Sequence, residues 1–319
     1  MTGLLDRVAG APITWGVCEV PGWGVQIDRD RVLREMADLG LRATELGPPG
    51  FLPPDPRTLR AMVAGHGLEL VGGFLPVVLH REELDPPAAS IAEYADLLTG
   101  AGAGVLVLAA SSGDEGYEGA PDLGPDEWAR LVRSIRTVEE IAGARGLTVA
   151  LHPHYGTVVE GPAHVLRLLE TSDVALCVDT GHLLVGGADP LEVVGWAEGR
   201  VAHVHLKDAD AEWAERLREG RVGYREAVAG GMYRPLGEGD LDVRAIVGSL
   251  EASGYGGWYV LEQDTVVTGV PDEGAGPVRD AAASLELLRR VAAEPDHGSP
   301  AGVAGGVRAH ATRRPDEGG

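Results

Sequence analysis

Short apolar runs separated by longer stretches of helical periodicity recur along this chain as far as about position 293. ITWGV (Ile13–Val17) predicts a first strand, and Val32, Leu33, Met36 and Leu39 fall on one face of a helix over Asp28–Leu39. The same alternation predicts strands at Arg42–Gly47, Leu68–Phe74 and VLVLAA (Val105–Ala110), with helices near Pro56–Ala64, Ile91–Leu98 and Asp126–Ala144. TVALH (Thr148–His152), ALCVD (Ala175–Asp179), VAHVHLK (Val201–Lys207) and WYVLEQ (Trp258–Gln263) complete eight strands. Their helices fall over Pro162–Glu170, Pro190–Ala197, Val243–Ala252 and Val278–Val291, with a longer insertion after the seventh strand. Strands that are apolar nearly throughout belong to parallel sheets covered by helices. Eight such units over roughly 290 residues predict a closed (β/α)8 TIM barrel of α/β class rather than two open sheets.

Composition narrows the setting. The 319 residues are 44% hydrophobic and 24% charged, ordinary for a globular protein. Forty-nine acidic against 27 basic side chains give a formal charge of -22, which repels phosphate backbones and anionic lipid and argues against nucleic-acid or membrane partners. Two cysteines, Cys18 and Cys177, have no metal or redox spacing around them. The amino-terminal residues lack a basic segment followed by an apolar one, and no apolar run approaches the ~20 residues of a membrane span. A cytoplasmic enzyme is expected, and a homo-oligomer is compatible with the sequence. From about Glu294 onward Gly, Ala, Pro and Arg replace the periodic pattern, so residues 1–293 are expected to form one barrel domain and 294–319 a disordered tail whose removal leaves stability and activity unchanged.

In a parallel barrel the chemistry sits where the strands end and the following loops gather. Polar residues collect at those ends: Glu45 on the second strand, His152 and His154 on the fifth, Asp179 and His182 on the sixth, His205 and Lys207 on the seventh, Glu262 and Asp264 on the eighth. A single histidine there is readily a packed core residue. Burying several such groups unpaired, however, costs several kcal/mol each. Residues two apart share a face of a strand, so His203, His205 and Lys207 point together while Val204 and Leu206 face the helices. His152, Asp179, His205 and Glu262 are thereby aimed at one space, a mixed nitrogen and oxygen set suited to Mn²⁺, Co²⁺, Fe²⁺ or Zn²⁺. Trp15 is a candidate wall for a sugar ring, and Glu45 and Glu238 are candidate substrate contacts. GAGAG (Gly100–Gly104) precedes a strand instead of following one, which favours a turn over a nucleotide loop.

Several segments together resemble the sugar isomerase/epimerase superfamily of xylose-isomerase-like barrels and, within it, the inosose (2-keto-myo-inositol) dehydratases. They are APITWG (Ala11–Gly16), TELGP (Thr44–Pro48), HPHYGTVVE (His152–Glu160), VDTGHL (Val178–Leu183), HVHLKD (His203–Asp208), GMYRPLGEGDLD (Gly231–Asp242) and GWYVLEQD (Gly257–Asp264). The resemblance implies a divalent metal, Mn²⁺ or Co²⁺ first and Fe²⁺, Zn²⁺ or Mg²⁺ as alternatives, held by His152, Asp179, His205 and Glu262. Two positions depart from it. Epimerases of the superfamily carry a glutamate where this chain has His152, and the dehydratases suggest an amide where it has Glu160. Glu160 is therefore a candidate fifth ligand, acid/base or substrate contact. The implied activity is dehydration of a keto-inositol or related keto-sugar, with Lys207, His154, His182 and Glu262 as candidate acid/base residues. The alternatives are a sugar isomerase or epimerase, a lyase that cleaves keto-glycosides, and a non-catalytic polyol-binding barrel.

Overall fold

The computed structural model describes residues 3–114, 121–197 and 199–293, so the expected tail lies outside the described residues. The strands are β1 (Val8–Gly10), β2 (Ala43–Glu45), β3 (Glu69–Val77), β4 (Val105–Ala110), β5 (Thr148–Leu151), β6 (Ala175–Asp179) and β7 (Val201–Leu206), then β8 (Asp208–Ala209), β9 (Tyr233–Arg234) and β10 (Tyr259–Leu261). All except β8 and β9 form a closed barrel in the order β1-β10-β7-β6-β5-β4-β3-β2, each pair parallel. The helices are α1 (Arg29–Leu39), α2 (Pro56–Gly65), α3 (Ala88–Ala101), α4 (Pro125–Gly143), α5 (Pro162–Thr171), α6 (Thr180–Val185), α7 (Pro190–Ala197), α8 (Ala211–Arg218), α9 (Tyr224–Ala229), α10 (Val243–Ala252) and α11 (Pro277–Ala293). No helix among the described residues is long and apolar enough to cross a membrane.

The first strand is not the one the apolar run predicts. Val8–Gly10 pairs with β10 and β2, whereas Pro12–Trp15 winds into a 3-10 turn beyond the strand end. Pro12 has no N–H to give to a ladder, and Gly16 ends the turn at φ 79°. The short VAG segment suits its place because Ala9 packs inside the barrel with Ala43, Val71 and Val260, where larger side chains would collide. Outside the strands, the main core packs their other face against the helices; Val204 and Leu206 belong to it, as alternation predicts.

Strands five, seven and eight end a residue or two before their predicted limits, so His152, Lys207 and Glu262 stand just beyond the sheet. Their backbones remain anchored. His152 N donates to Leu108 O at 2.8 Å and Glu262 N to Leu206 O at 3.1 Å. GAGAG falls at the end of α3, with Gly102 capping it at φ 103°, a turn as expected.

The insertion between β7 and α10 carries α8, α9 and the antiparallel β8–β9 pair. It builds a second small core of Trp23, Tyr155, Val185, Tyr224, Met232 and Tyr233 beside the barrel mouth. Asp208 ties this insertion down. Its carboxylate accepts from the backbone N–H groups of Ala209, Gly237, Gly239 and Leu241 at 2.8–3.1 Å. A Cβ on Gly239 would lie 2.3 Å from Asp208 Oδ1, so the GEGD loop needs glycine there to close around the carboxylate.

Candidate active site

Parallel register sets Asp179 of β6 opposite His205 of β7, and His205 opposite Val260 of β10, which puts Glu262 just above them. His152 joins from the end of β5. Its Nε2 lies 3.3 Å from Asp179 Oδ2; His205 Nδ1 lies 3.5 Å from the same oxygen and 3.1 Å from Glu262 Oε2. These contacts are close without being aligned as hydrogen bonds: His152 Nε2, Asp179 Oδ2 and His205 Nδ1 are all buried and have no hydrogen-bond partner. Native interiors seldom leave such atoms unmatched. Atoms of His152, Asp179 and His182 sit within 4.8 Å of one another, as do those of Asp179, His205 and Glu262; each set is close enough to share a cation, and Asp179 belongs to both.

The other nitrogen of His205 explains its orientation. Nε2 contacts Glu45 Oε1 at 3.0 Å, and His203 Nε2 reaches the same oxygen at 2.8 Å. A carboxylate behind an imidazole fixes the ring and its tautomer, an arrangement common behind metal-ligating histidines. Glu45, expected to meet a substrate hydroxyl, thus spends one oxygen on two histidines, although its side chain also borders the cleft.

Lys207 is wholly buried, its Nζ 2.7 Å from Glu262 Oε1, 2.7 Å from Asp264 Oδ1 and 3.3 Å from Asp179 Oδ2, and 4.9 Å from the centre of the Tyr233 ring. Its stem runs past Gly181, where a Cβ would lie 2.5 Å from Lys207 Cγ; the glycine of VDTGHL makes room for it. Burial opposes the charge, but Asp179, Asp264 and Glu262 outweigh it and hold the ammonium well above the ordinary lysine range. Burial also pushes the Glu262 carboxyl up, yet His205 and Lys207 bring it down to about 2. At Asp264 burial wins, and its carboxyl sits above the usual range despite Lys207. Two carboxylates on one ammonium are thereby driven apart, a common arrangement of acid/base sites.

His154 and His182 stack with ring centres 3.6 Å apart. His154 Nδ1 lies 2.7 Å from the Tyr155 carbonyl, which fixes Nδ1–H as donor and makes Nε2 the acceptor of the neutral ring. His182 is the reverse: Nδ1 accepts from Tyr155 N–H and faces the Tyr233 hydroxyl, both at 3.4 Å, which places its proton on Nε2. Burial, with His152 and Lys207 nearby, lowers His154 to about 3; burial, His154 and Lys207 lower His182 well below the ordinary value. Burial also lowers His203, against Glu45. His205 goes the other way, because Cys177, Glu262 and Glu45 outweigh its burial.

A pH dependence follows. The three lowered imidazoles of this cluster, His154, His182 and His203, take up protons when the chain unfolds below about pH 6.5, as do His80 and His164, whereas the raised His205 is already protonated in the fold. The unfolded state then binds more protons, so stability falls as pH falls. Metal-free protein should melt several degrees lower at pH 5 than at pH 7, and His154→Gln should flatten that slope. A melting temperature flat over this range would show that these rings are not held neutral.

His152, His154, Glu45, Glu262 and Asp264 border a cleft of about 410 Å³ at the mouth. Three expected substrate contacts lie elsewhere. Trp15 is fully buried and donates Nε1–H to Glu35 at 2.9 Å, because the turn after β1 swings its ring into the core beside α1. Glu160 is held by Gly156 N–H at 2.8 Å and borders a separate hollow with Arg218 and Gly223. Glu238 is exposed on the loop around Asp208. In their place the fold brings in Asp264, Tyr224, Trp23 and Phe74. Tyr224 O–H donates to Asp264 Oδ2 at 2.6 Å. Asp264 was visible as a polar residue two beyond Glu262; nothing in the sequence marked a tyrosine forty positions upstream as its partner.

A closed parallel barrel with its titratable cluster at the carboxyl-terminal mouth defines a (β/α)8-barrel enzyme. The xylose isomerase-like TIM barrel model matches residues 33–291. An inosose dehydratase of Geobacillus kaustophilus is 33% identical over 270 residues, covering 81% of this chain and 87% of that one. The rhizopine catabolism protein MocC of Rhizobium meliloti is 31% identical over 296 residues, covering 90% and 89%. Among solved structures, a D-psicose 3-epimerase of Clostridium cellulolyticum H10, determined with D-tagatose, superimposes with a TM-score of 0.66 at 19% identity, covering 90% of this chain and 99% of that one. The chain belongs to the xylose isomerase-like TIM-barrel family.

Proposed function

We propose that this enzyme is a metal-dependent carbon–oxygen lyase that dehydrates a keto-inositol or closely related keto-sugar. The observation that carries the reading is the make-up of the cleft on the β5 side: His152 and His154 face it, and Glu160, the nearby carboxylate that could replace an epimerase's second acid/base, is turned into another hollow. The dehydratases among the relatives point the same way.

His152, Asp179, His205 and Glu262 would hold the cation, with Mn²⁺ or Co²⁺ suited to two imidazoles and two carboxylates. Bound there, a divalent ion supplies Lewis-acid stabilisation of the negative charge that develops on the ketone oxygen. His154, with Nε2 as its acceptor nitrogen, takes the proton from the carbon next to the carbonyl. The electron pair left behind forms the new double bond as the neighbouring carbon–hydroxyl bond breaks. The departing hydroxyl takes a proton from the Lys207–Glu262 pair and leaves as water. Asp264 positions that pair through Lys207 Nζ at 2.7 Å, and His182 lies beside it, within 4.8 Å of Glu262 and Asp264.

Incubation with a keto-inositol in D2O tests this. A product lighter by one water, with new ultraviolet absorbance, is the expected result. Constant mass with inversion at one carbon would make the enzyme an epimerase and overturn the weight placed on His152. Thermal stabilisation by the ligand without exchange or turnover would leave a polyol-binding barrel.

A further inference from the structure

The cleft has two unlike halves. Its inner side, from β5 to β10, supplies His152, His154, Glu262, Asp264 and Tyr224. The opposite side, from the loops after β1 and β2, the end of β3 and helix α3, presents Ile13, Pro49, Leu52, Leu75 and Leu97. Of its two carboxylates, Glu45 gives Oε1 to His203 and His205, and Glu19 is exposed at the rim.

A bare polyhydroxylated ring carries hydroxyls all round its edge. With its ketone edge at the inner cluster, its far hydroxyls would face proline, leucine and isoleucine. Each hydroxyl stripped of water and left without a partner costs about 1–3 kcal/mol. A volume of about 410 Å³ is also in the range of cavities that hold drug-sized ligands, more than a six-carbon ring fills. The wall is rigid, since Pro48, Pro49, Pro53 and Pro54 line it and fix much of its backbone.

We infer that this half of the cleft is a subsite for an apolar substituent, an aryl or branched alkyl group joined through an ether oxygen to the ring edge remote from the ketone. The substituent is a spectator: it sets affinity and takes no part in bond breaking. The inference rests on the ring-ketone reading above, and its test separates the two.

Calorimetry on metal-loaded protein would compare a cyclitol with its phenyl ether, neither of which carries the ketone needed for turnover. The ether should bind at least about tenfold tighter, as expected for burying one aromatic ring. Leu75→Asn should cut that ratio to about threefold or less. Pro49→Asn, at an exposed position, should also reduce it. Equal affinity for the two ligands, or a ratio unmoved by both variants, overturns the subsite. Tighter binding of the ether, with no water lost from the corresponding ketones, supports the subsite and removes the dehydration assignment.

Discussion

Asp179→Asn and His205→Ala should each yield a folded barrel with little bound metal and with kcat lower by about three orders of magnitude. Wild type should carry about one divalent transition ion per chain, because two imidazoles and two carboxylates converge from four strands onto one space. The fold should survive because neither side chain belongs to the cores between sheet and helices. In the Asp179→Asn variant the amide oxygen can still cap α6, as Asp179 Oδ1 now does by accepting from His182 N–H at 2.8 Å. Elemental analysis and circular dichroism of the purified variants are the measurements. Full activity in stripped wild type would remove the metal from the mechanism; unchanged metal content in both variants would remove Asp179 and His205 from its ligands.

Lys207→Met should be the most damaging single change to stability. It keeps the apolar stem and removes the ammonium shared by Glu262, Asp264 and Asp179. Breaking a buried ion pair from one side typically costs about 3–5 kcal/mol, because the remaining charge stays desolvated. For a domain of this size that corresponds to a melting temperature lower by about 10 °C. Activity should fall with it, since Glu262 loses its proton source. Adding a divalent ion should restore part of the lost stability, the cation replacing some of the missing positive charge near Glu262 and Asp179. A melting temperature within a degree of wild type would mean that the three carboxylates relax into water when Lys207 is gone.

Much of this site was legible because a parallel barrel turns sequence position into spatial position. Strand ends gather at one mouth, so polar residues terminating apolar runs had to meet there; alternation then separated His203 and His205 from Val204 and Leu206. The first strand is hidden in the sequence because ITWGV has the apolarity of a strand, while the true β1, Val8–Gly10, is too short and small to stand out. Trp15 went astray with it: the 3-10 turn that replaces the strand rotates the indole to Glu35.

Covalent order therefore determined the barrel and the convergence of His152, Asp179, His205 and Glu262, since each follows from local periodicity along the strands. Tertiary structure alone decided what those groups do to one another. That Lys207 joins Glu262 to Asp264, that Tyr224 reaches Asp264, that Glu45 serves two histidines and that Glu160 faces away depend on distances between residues far apart in the chain. Desolvation and Coulomb interactions act through space, and a difference of one ångström at low dielectric decides which carboxyl keeps its proton.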